Sequence, residues 1–275
     1  MYNLRVMTEH LDASDNKRAD AHTIGGLLIP PEELDKAWHH AAIRAAAMVG
    51  NFIFTVFFRW KVEGLEFVPT QGPALVTVNH LSVMDIPTLG TALIRRGWEP
   101  GVNMFTVSKE ELVHKPILPR IMGWLGMFPI HRNEVDMQAM RAILTILKRG
   151  ALLGIAPEGT RSPTGHLQLF QPGVAKIAIQ KRVPIVPAGL IGMEKVLPIG
   201  AKLPRLTPIA IHFGPMYELS EYYHQELTPQ VLERAAWDMR ARVAELLPEW
   251  MRELPPADAQ TRFGSVRSAA SASHS

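Results

Sequence analysis

The stretch Ala74-Leu75-Val76-Thr77-Val78-Asn79-His80-Leu81-Ser82-Val83-Met84-Asp85 decides how the chain is read. Its first five residues are apolar, alternating and β-branched, the pattern of a buried strand. The polar pair His80 and Asp85 follows directly, and strand ends are where open α/β sheets gather chemistry. An imidazole accepts a proton near neutrality, and a carboxylate on its far nitrogen fixes the tautomer and stabilises the imidazolium. A protein nucleophile is missing: the chain has no Cys, no G-x-S-x-G elbow, and its nearest hydroxyl, Ser82, lies two residues away. The nucleophile is therefore expected to come from the substrate.

Residues five apart on one helix point ~140° away from each other. A working pair needs His80 on the turn before a helix that carries Asp85. Ser82 as cap, Asp85 three residues on and Pro87 in the first turn supply such a start. The same pattern also allows a plain reading, in which Asp85 is only a capping acid and His80 a hydrogen-bonded loop residue.

A chain of 275 residues accommodates one sizeable α/β core with appendages. The absence of Cys excludes a disulfide framework, a thiolate zinc site and a covalent thioester on the protein. With 29 Lys and Arg against 26 Asp and Glu, the net charge is only +3. No basic, aromatic-interleaved patch is present, so no nucleic-acid partner is expected, whereas a weak attraction to an anionic membrane surface fits. No secretory signal is visible in the polar first twenty residues, so the protein is expected to stay inside the cell.

Residues 1–30 show no period and are read as a flexible N-terminus, with a helix start at 32–36 after Pro30-Pro31. An uncharged run, 45–58, lies between Arg44 and Arg59 with Trp38 and Trp60 outside it. As a helix it is ~21 Å long against a hydrocarbon core of ~30 Å. Residues 31–60 are read as a membrane-associated helical segment dipped into one leaflet, peripheral or monotopic at the cytoplasmic face. A span from Trp38 to Trp60 and a buried core helix remain open on the residues alone.

From Lys61 short strands alternate with helices, at 62–68, 74–78, 103–107, 127–130, 152–156, 185–190 and 209–213. The fold class is α/β, with a mixed, largely parallel sheet of about seven strands flanked by helices. A helix starts near Asn133 with Asp136 completing its cap, and carries Met140, Ile143, Leu144 and Leu147 as core. A second starts at Thr228-Pro229 and presents Leu232, Ala235, Ala236, Met239, Val243 and Leu246-Leu247. The α/β domain is taken as 61–254, and 255–275, opening on Pro255-Pro256 and rich in Ser and Ala, as a disordered tail. There is no internal repeat, metal-ligand cluster, P-loop or dinucleotide fingerprint in the sequence.

The loop Pro157-Glu158-Gly159-Thr160-Arg161-Ser162 follows another strand and forms a second pole. Gly159 admits a bulky ligand to the backbone, Thr160 offers a hydroxyl, and Arg161 a planar fork suited to phosphate. Glu158 is placed to orient Arg161 or to take a substrate hydroxyl. Lys109 and Arg132 stand at two further strand ends. Alone, each of these reads as a solvated charge or surface turn. Together with the His–Asp pair and the apolar segment they point to an anionic, membrane-resident alcohol whose hydroxyl His80 deprotonates as it attacks an activated acyl group.

In this order the blocks resemble the glycerolipid acyltransferases of the lysophosphatidic acid acyltransferase type. Asn79 to Asp85 match the family's N-H-x4-D block, and Gly126 to Arg132 its G-x-x-x-I-x-R-like block. Ala156 to Ser162 match F-P-E-G-T-R-S, and Val183 to Pro187 match V-P-I-V-P. The resemblance implies His80 as general base with Asp85 as its orienting partner. It implies that Glu158, Gly159, Thr160, Arg161 and Arg132 bind a lysophospholipid acceptor through its phosphate, with Lys109 close by. It also implies acyl-CoA or acyl-carrier protein as co-substrate, with no further cofactor and no metal, and phosphatidic acid as product. Two residues depart from the pattern: Ala156 stands where Phe is usual, and Pro129 interrupts the second block. Other acceptors, a non-catalytic phosphatidic-acid binder and a hydrolase acting through Ser82 are the alternatives left open.

Overall fold

A computed structural model of the protein describes residues 37–109, 123, 125–130, 137–201 and 203–254. The expected N-terminus 1–30, helix start 32–36 and tail 255–275 lie outside these residues, as do Arg132 and the cap at Asn133 and Asp136.

Helix α1 (Ala37–Phe58) leads into β1 (Lys61–Glu63) and β2 (Ala74–Val78). Then follow α2 (Asp85–Ile94), β3 (Met104–Lys109), β4 (Met127–Ile130), α3 (Met137–Lys148) and β5 (Leu152–Ile155). The chain continues through α4 (Pro172–Lys181), β6 (Ile185–Ile191), α5 (Met193–Val196), β7 (Ala210–Phe213), α6 (Pro229–Ala244) and α7 (Glu249–Arg252).

The strands form one seven-stranded sheet in the order β1-β7-β6-β2-β5-β3-β4. From β6 to β4 every pairing is parallel, and β7 runs antiparallel to β6 with β1 parallel to β7. This is the mixed, largely parallel sheet expected. All five residues of β2 are buried, as a central parallel strand covered on both faces requires. The chain leaves β2 toward β3 and β4 on one side and later returns to β6 on the other, so β2 stands at the point where strand order reverses. Ligand crevices open outside the carboxyl ends of strands at such points.

One strand ends well short of the sequence reading, and one helix buries a different stripe. The expected strand 62–68 stops at Glu63, because Gly64 turns at φ 68° and its Cα lies against the Phe213 carbonyl, where a Cβ would come within 2.0 Å of the oxygen. Residues Leu65–Phe67 then wind into a 3-10 turn. On α3 the buried stripe includes Ala139, Ala142, Ile143, Ile146 and Leu147, leaving Met140 and Leu144 at its margin.

Helix α1 is longer than the uncharged run alone suggested. Its 22 residues measure ~33 Å at the α-helical rise, long and apolar enough by length and composition to cross a membrane. One face, with His39, Ile43, Phe54 and Phe58, is buried, and Gly50 brings the helix onto α2, where an added Cβ would meet Thr91 Oγ1 at 3.0 Å. The opposite face leaves Trp38, Met48, Val49, Phe52, Ile53, Val56 and Phe57 exposed. Of the three readings left open for this segment, the ordinary buried core helix does not fit: a core helix does not present that much apolar surface.

Asn79 fixes the end of β2. The ladder with β6 closes at Val78 and Ala188, and the chain then turns away. The Asn79 side chain substitutes for a peptide group, donating from Nδ2 to Leu190 O at 3.0 Å and accepting the Leu190 N–H at 2.7 Å on Oδ1. Replacing Asn79 by Ala strands both buried groups of Leu190, and the expected loss is about 2–4 kcal/mol of stability. Urea unfolding of the two proteins side by side measures it; a loss under about 0.5 kcal/mol would contradict the role given to this amide.

Candidate active site

His80 leaves the carboxyl end of β2 and Asp85 opens α2. The ring Nδ1 lies 2.8 Å from Asp85 Oδ2. The same oxygen accepts the backbone N–H of Leu81 at 2.7 Å and of Ser82 at 2.9 Å. Only a donor completes a bond to that oxygen, so the imidazole carries its proton on Nδ1 and leaves Nε2 free to accept one. The Asp85 side chain is 3 % exposed and that of His80 16 %, so the acid is enclosed while the ring reaches the surface.

The capping reading and the catalytic reading therefore hold together. Asp85 bonds back to the Ser82 N–H three residues earlier and orients His80 with the same oxygen, although the helix cap falls at Met84 and not at the expected Ser82, whose hydroxyl accepts the Met84 N–H at 3.3 Å. Ser82 is buried, and its hydroxyl donates to Leu197 O at 3.2 Å. It is committed inside the protein and does not stand as a nucleophile.

The β5 loop arrives beside β2 because these strands are neighbours in the sheet. It grips the His80 backbone on both sides: the Ser162 N–H donates to His80 O at 2.7 Å, and the His80 N–H donates to Glu158 Oε1 at 3.0 Å. Glu158 was expected among the phosphate-binding residues; the structure instead buries it to 1 % exposure beneath the site. Its second oxygen accepts from Gln168 Nε2 at 3.0 Å, and that amide also donates to Thr160 O at 3.1 Å. Arg240 of α6, itself buried, donates to the carbonyls of Gln168, Leu167 and Arg252. A chain of bonds thus runs from the C-terminal helix through Gln168 and Glu158 to the backbone of His80. Sequence reading missed Gln168 and Arg240, whose polar side chains carry no local signature.

Burial pushes the Glu158 carboxyl up to about 8, against the hydrogen bonds from His80 and Gln168, with nearby Asp85 adding to the rise. Gly159 turns the loop at φ 74°, a conformation that favours glycine. Thr160 and Arg161 are half-buried beyond it, and no hydrogen bond or ion pair of the Arg161 guanidinium occurs among the described residues. Lys109 ends β3, paired in register with Ile130, on the sheet edge that carries His80 and the β5 loop.

A cavity of about 150 Å³ opens at this edge, bordered by His80, Asp85, Leu89, Ala156, Gly159 and Val174 among others. Its wall is mostly apolar, and Ala156 lines it where the resemblance expects Phe. A larger open groove of about 530 Å³ runs between α1 and α2, bordered by Arg44, Met48, Asn51 and Arg95. It does not reach His80, so the smaller cavity is the one tied to the chemistry.

Residues 59–191 match the family model described as Acyltransferase. The chain is 30% identical over 170 residues to the chloroplastic 1-acyl-sn-glycerol-3-phosphate acyltransferase LPAT1 of Arabidopsis thaliana, covering 61% of this chain and 45% of that protein. It is 30% identical over 189 residues to the 1-acyl-sn-glycerol-3-phosphate acyltransferase of Cocos nucifera, covering 65% of this chain and 58% of that protein. The chain spans about half the length of the curated relatives it matches. The crystal structure of the 1-acyl-sn-glycerophosphate acyltransferase PlsC from Thermotoga maritima shares its fold, with a TM-score of 0.59, 22% identity and coverage of 76% of this chain and 79% of that one.

The raised Glu158 pKa carries a stability consequence. Between the ordinary carboxylate range and about pH 8 the folded chain holds a proton that the unfolded chain has released, so stability falls as pH rises through that window. Glu158→Gln keeps the shape and removes the titration. Its melting temperature is expected to vary less than the wild type's between pH 5 and 8.5 in a thermal unfolding series; parallel curves would show that the carboxyl does not titrate there.

Proposed function

We propose that the protein, whose residues 59–191 match the family model described as Acyltransferase, moves a fatty acyl group from acyl-CoA or acyl-carrier protein to the sn-2 hydroxyl of 1-acyl-sn-glycerol 3-phosphate, giving phosphatidic acid. The observation that carries this reading is the His80–Asp85 pair, with Nδ1 held at 2.8 Å and Nε2 left free, at the mouth of an apolar cavity. The names of the relatives support the same acceptor.

His80 Nε2 takes the hydroxyl proton of the acceptor as its oxygen attacks the thioester carbon. The C–O ester bond forms through a tetrahedral intermediate, the C–S bond breaks, and the thiolate recovers the proton from the imidazolium that Asp85 has stabilised. No covalent acyl-enzyme is required, in keeping with a chain that lacks Cys and holds Ser82 in a bond to Leu197. Arg161, with Lys109 and Arg132, is assigned to the acceptor phosphate, Gly159 and Thr160 to the loop surface it approaches, and Glu158 to support of His80. The apolar outer face of α1 holds the enzyme at a membrane surface, assigned here to the cytoplasmic face, within reach of a lipid acceptor.

His80→Ala is expected to lower kcat by a factor on the order of 10²–10⁴ while binding of 1-acyl-sn-glycerol 3-phosphate changes little. Steady-state rates with a labelled acyl-CoA, paired with equilibrium lysolipid binding, read both. Unchanged turnover would sink the general-base role, and a wild type that binds the lysolipid but never acylates it would favour a non-catalytic binder. Run against glycerol 3-phosphate and other lysophospholipids, the same assay is expected to give the highest kcat/KM for 1-acyl-sn-glycerol 3-phosphate; a clear preference for another acceptor would overturn that choice while leaving the chemistry.

A further inference from the structure

Between α5 and β7 the chain forms a compact loop whose ends meet. The Arg205 N–H donates to Val196 O at 2.7 Å, and the Ala201 N–H to Pro198 O at 2.9 Å. Such closed surface loops are frequently functional. The base is anchored, with Val196 buried and Leu197 O accepting the Ser82 hydroxyl between His80 and Asp85. The outer part is unusually apolar for a water-facing loop: Ile199 is 52%, Leu203 80% and Leu206 60% exposed. Val83, next to Ser82, is exposed as well.

Single exposed apolar residues are ordinary, whereas a cluster marks a contact. Two observations name the occupant. Residues 197–206 contain Lys202 and Arg205 and no acid, a composition matched to an anionic surface. The loop also leads straight onto α1: the Ile209 N–H donates to Phe58 O at 3.1 Å, and the Lys61 N–H to Ile209 O at 3.0 Å. There α1 exposes Val56 and Phe57, and α1 itself contains no Asp or Glu.

We propose that residues 197–206 are a second lipid-contacting element, which enters an anionic bilayer beside α1 and holds the mouth of the His80 cavity at the lipid surface. α1 and this loop then form two supports, the loop tied through Leu197 O to Ser82 in the turn that follows His80. A single helix fixes depth but leaves the protein free to roll about the helix axis. A second contact sets which face looks into the lipid. The proposal uses only the membrane residence of the protein and is independent of which acceptor is acylated.

The chain has no Cys, so Ile199→Cys, Leu203→Cys and Leu206→Cys each carry a single environment-sensitive fluorophore. On vesicles of phosphatidylcholine and phosphatidylglycerol, without donor or acceptor, all three labels are expected to shift to the blue and to be quenched by lipids with a shallow spin label. A label at Gln230→Cys on α6 is expected to do neither. Leu203→Glu with Leu206→Glu, at positions too exposed to unsettle the fold, is expected to weaken vesicle partition by on the order of tenfold or more, while acylation of a short-chain monomeric acceptor stays near wild type. Labels that remain as water-exposed on vesicle-bound protein as in buffer would overturn the proposal, as would unchanged partition of the double variant. A blue shift that needs an added protein instead of vesicles would equally overturn it, by making the loop a protein contact.

Discussion

One carboxylate oxygen organises the centre of this protein. Asp85 Oδ2 accepts from the His80 ring and from two consecutive backbone amides. It lies in the first turn of α2, where the helix dipole favours a negative charge. The residue that starts the helix and the residue that orients the base are one and the same. Moving Asp85 to any other position would give up the start of α2 and the tautomer of His80 together. The five-residue spacing follows: the turn of Leu81 to Met84 is what folds the imidazole back over the helix end.

Support for the base comes from beneath and from far along the chain. Asn79 ties the end of β2 to β6 by copying a peptide's hydrogen bonds. Glu158 and Ser162 of the neighbouring strand's loop take the N–H and C=O of His80. Gln168 and Arg240 secure that loop in turn. With its backbone fixed at both ends and its ring fixed at Nδ1, His80 has little freedom left except to present Nε2. Preorganisation of this kind lowers a barrier without reorganisation at the moment of reaction. The adjacency of β2 and β5, a property of sheet order alone, is what brings the two loops within reach.

Much of this was legible in the sequence. The run 74–78 announces a buried strand, the polar pair after it announces a strand-end site, and the alternation after Lys61 announces the sheet. What escaped was what depends on distant partners. Glu158 sits in a turn-rich, polar loop, which reads as exposed, and only the packing of α6 and the 167–168 segment over it reveals its burial. Asn79 looks like part of a motif, and its partner Leu190 lies on a strand that becomes a neighbour only when the sheet is assembled. The uncharged run 45–58 did not show what holds α1 to the domain: Glu99 pairs with Arg44 at 3.1 Å and also with His40, a partner 55 or more residues away. Gly64 ended β1 early through a close approach to β7 that no local window contains.

The central claim is that a carboxylate fixes which nitrogen of His80 bears the proton. Nitrogen-15 NMR of histidine-labelled protein, with the His80 signals identified by their loss in His80→Ala, tests it on the neutral ring. A protonated Nδ1 and a bare Nε2 are expected, with the preference lost or reversed in Asp85→Asn. A neutral ring protonated mainly on Nε2 in the wild type would contradict it.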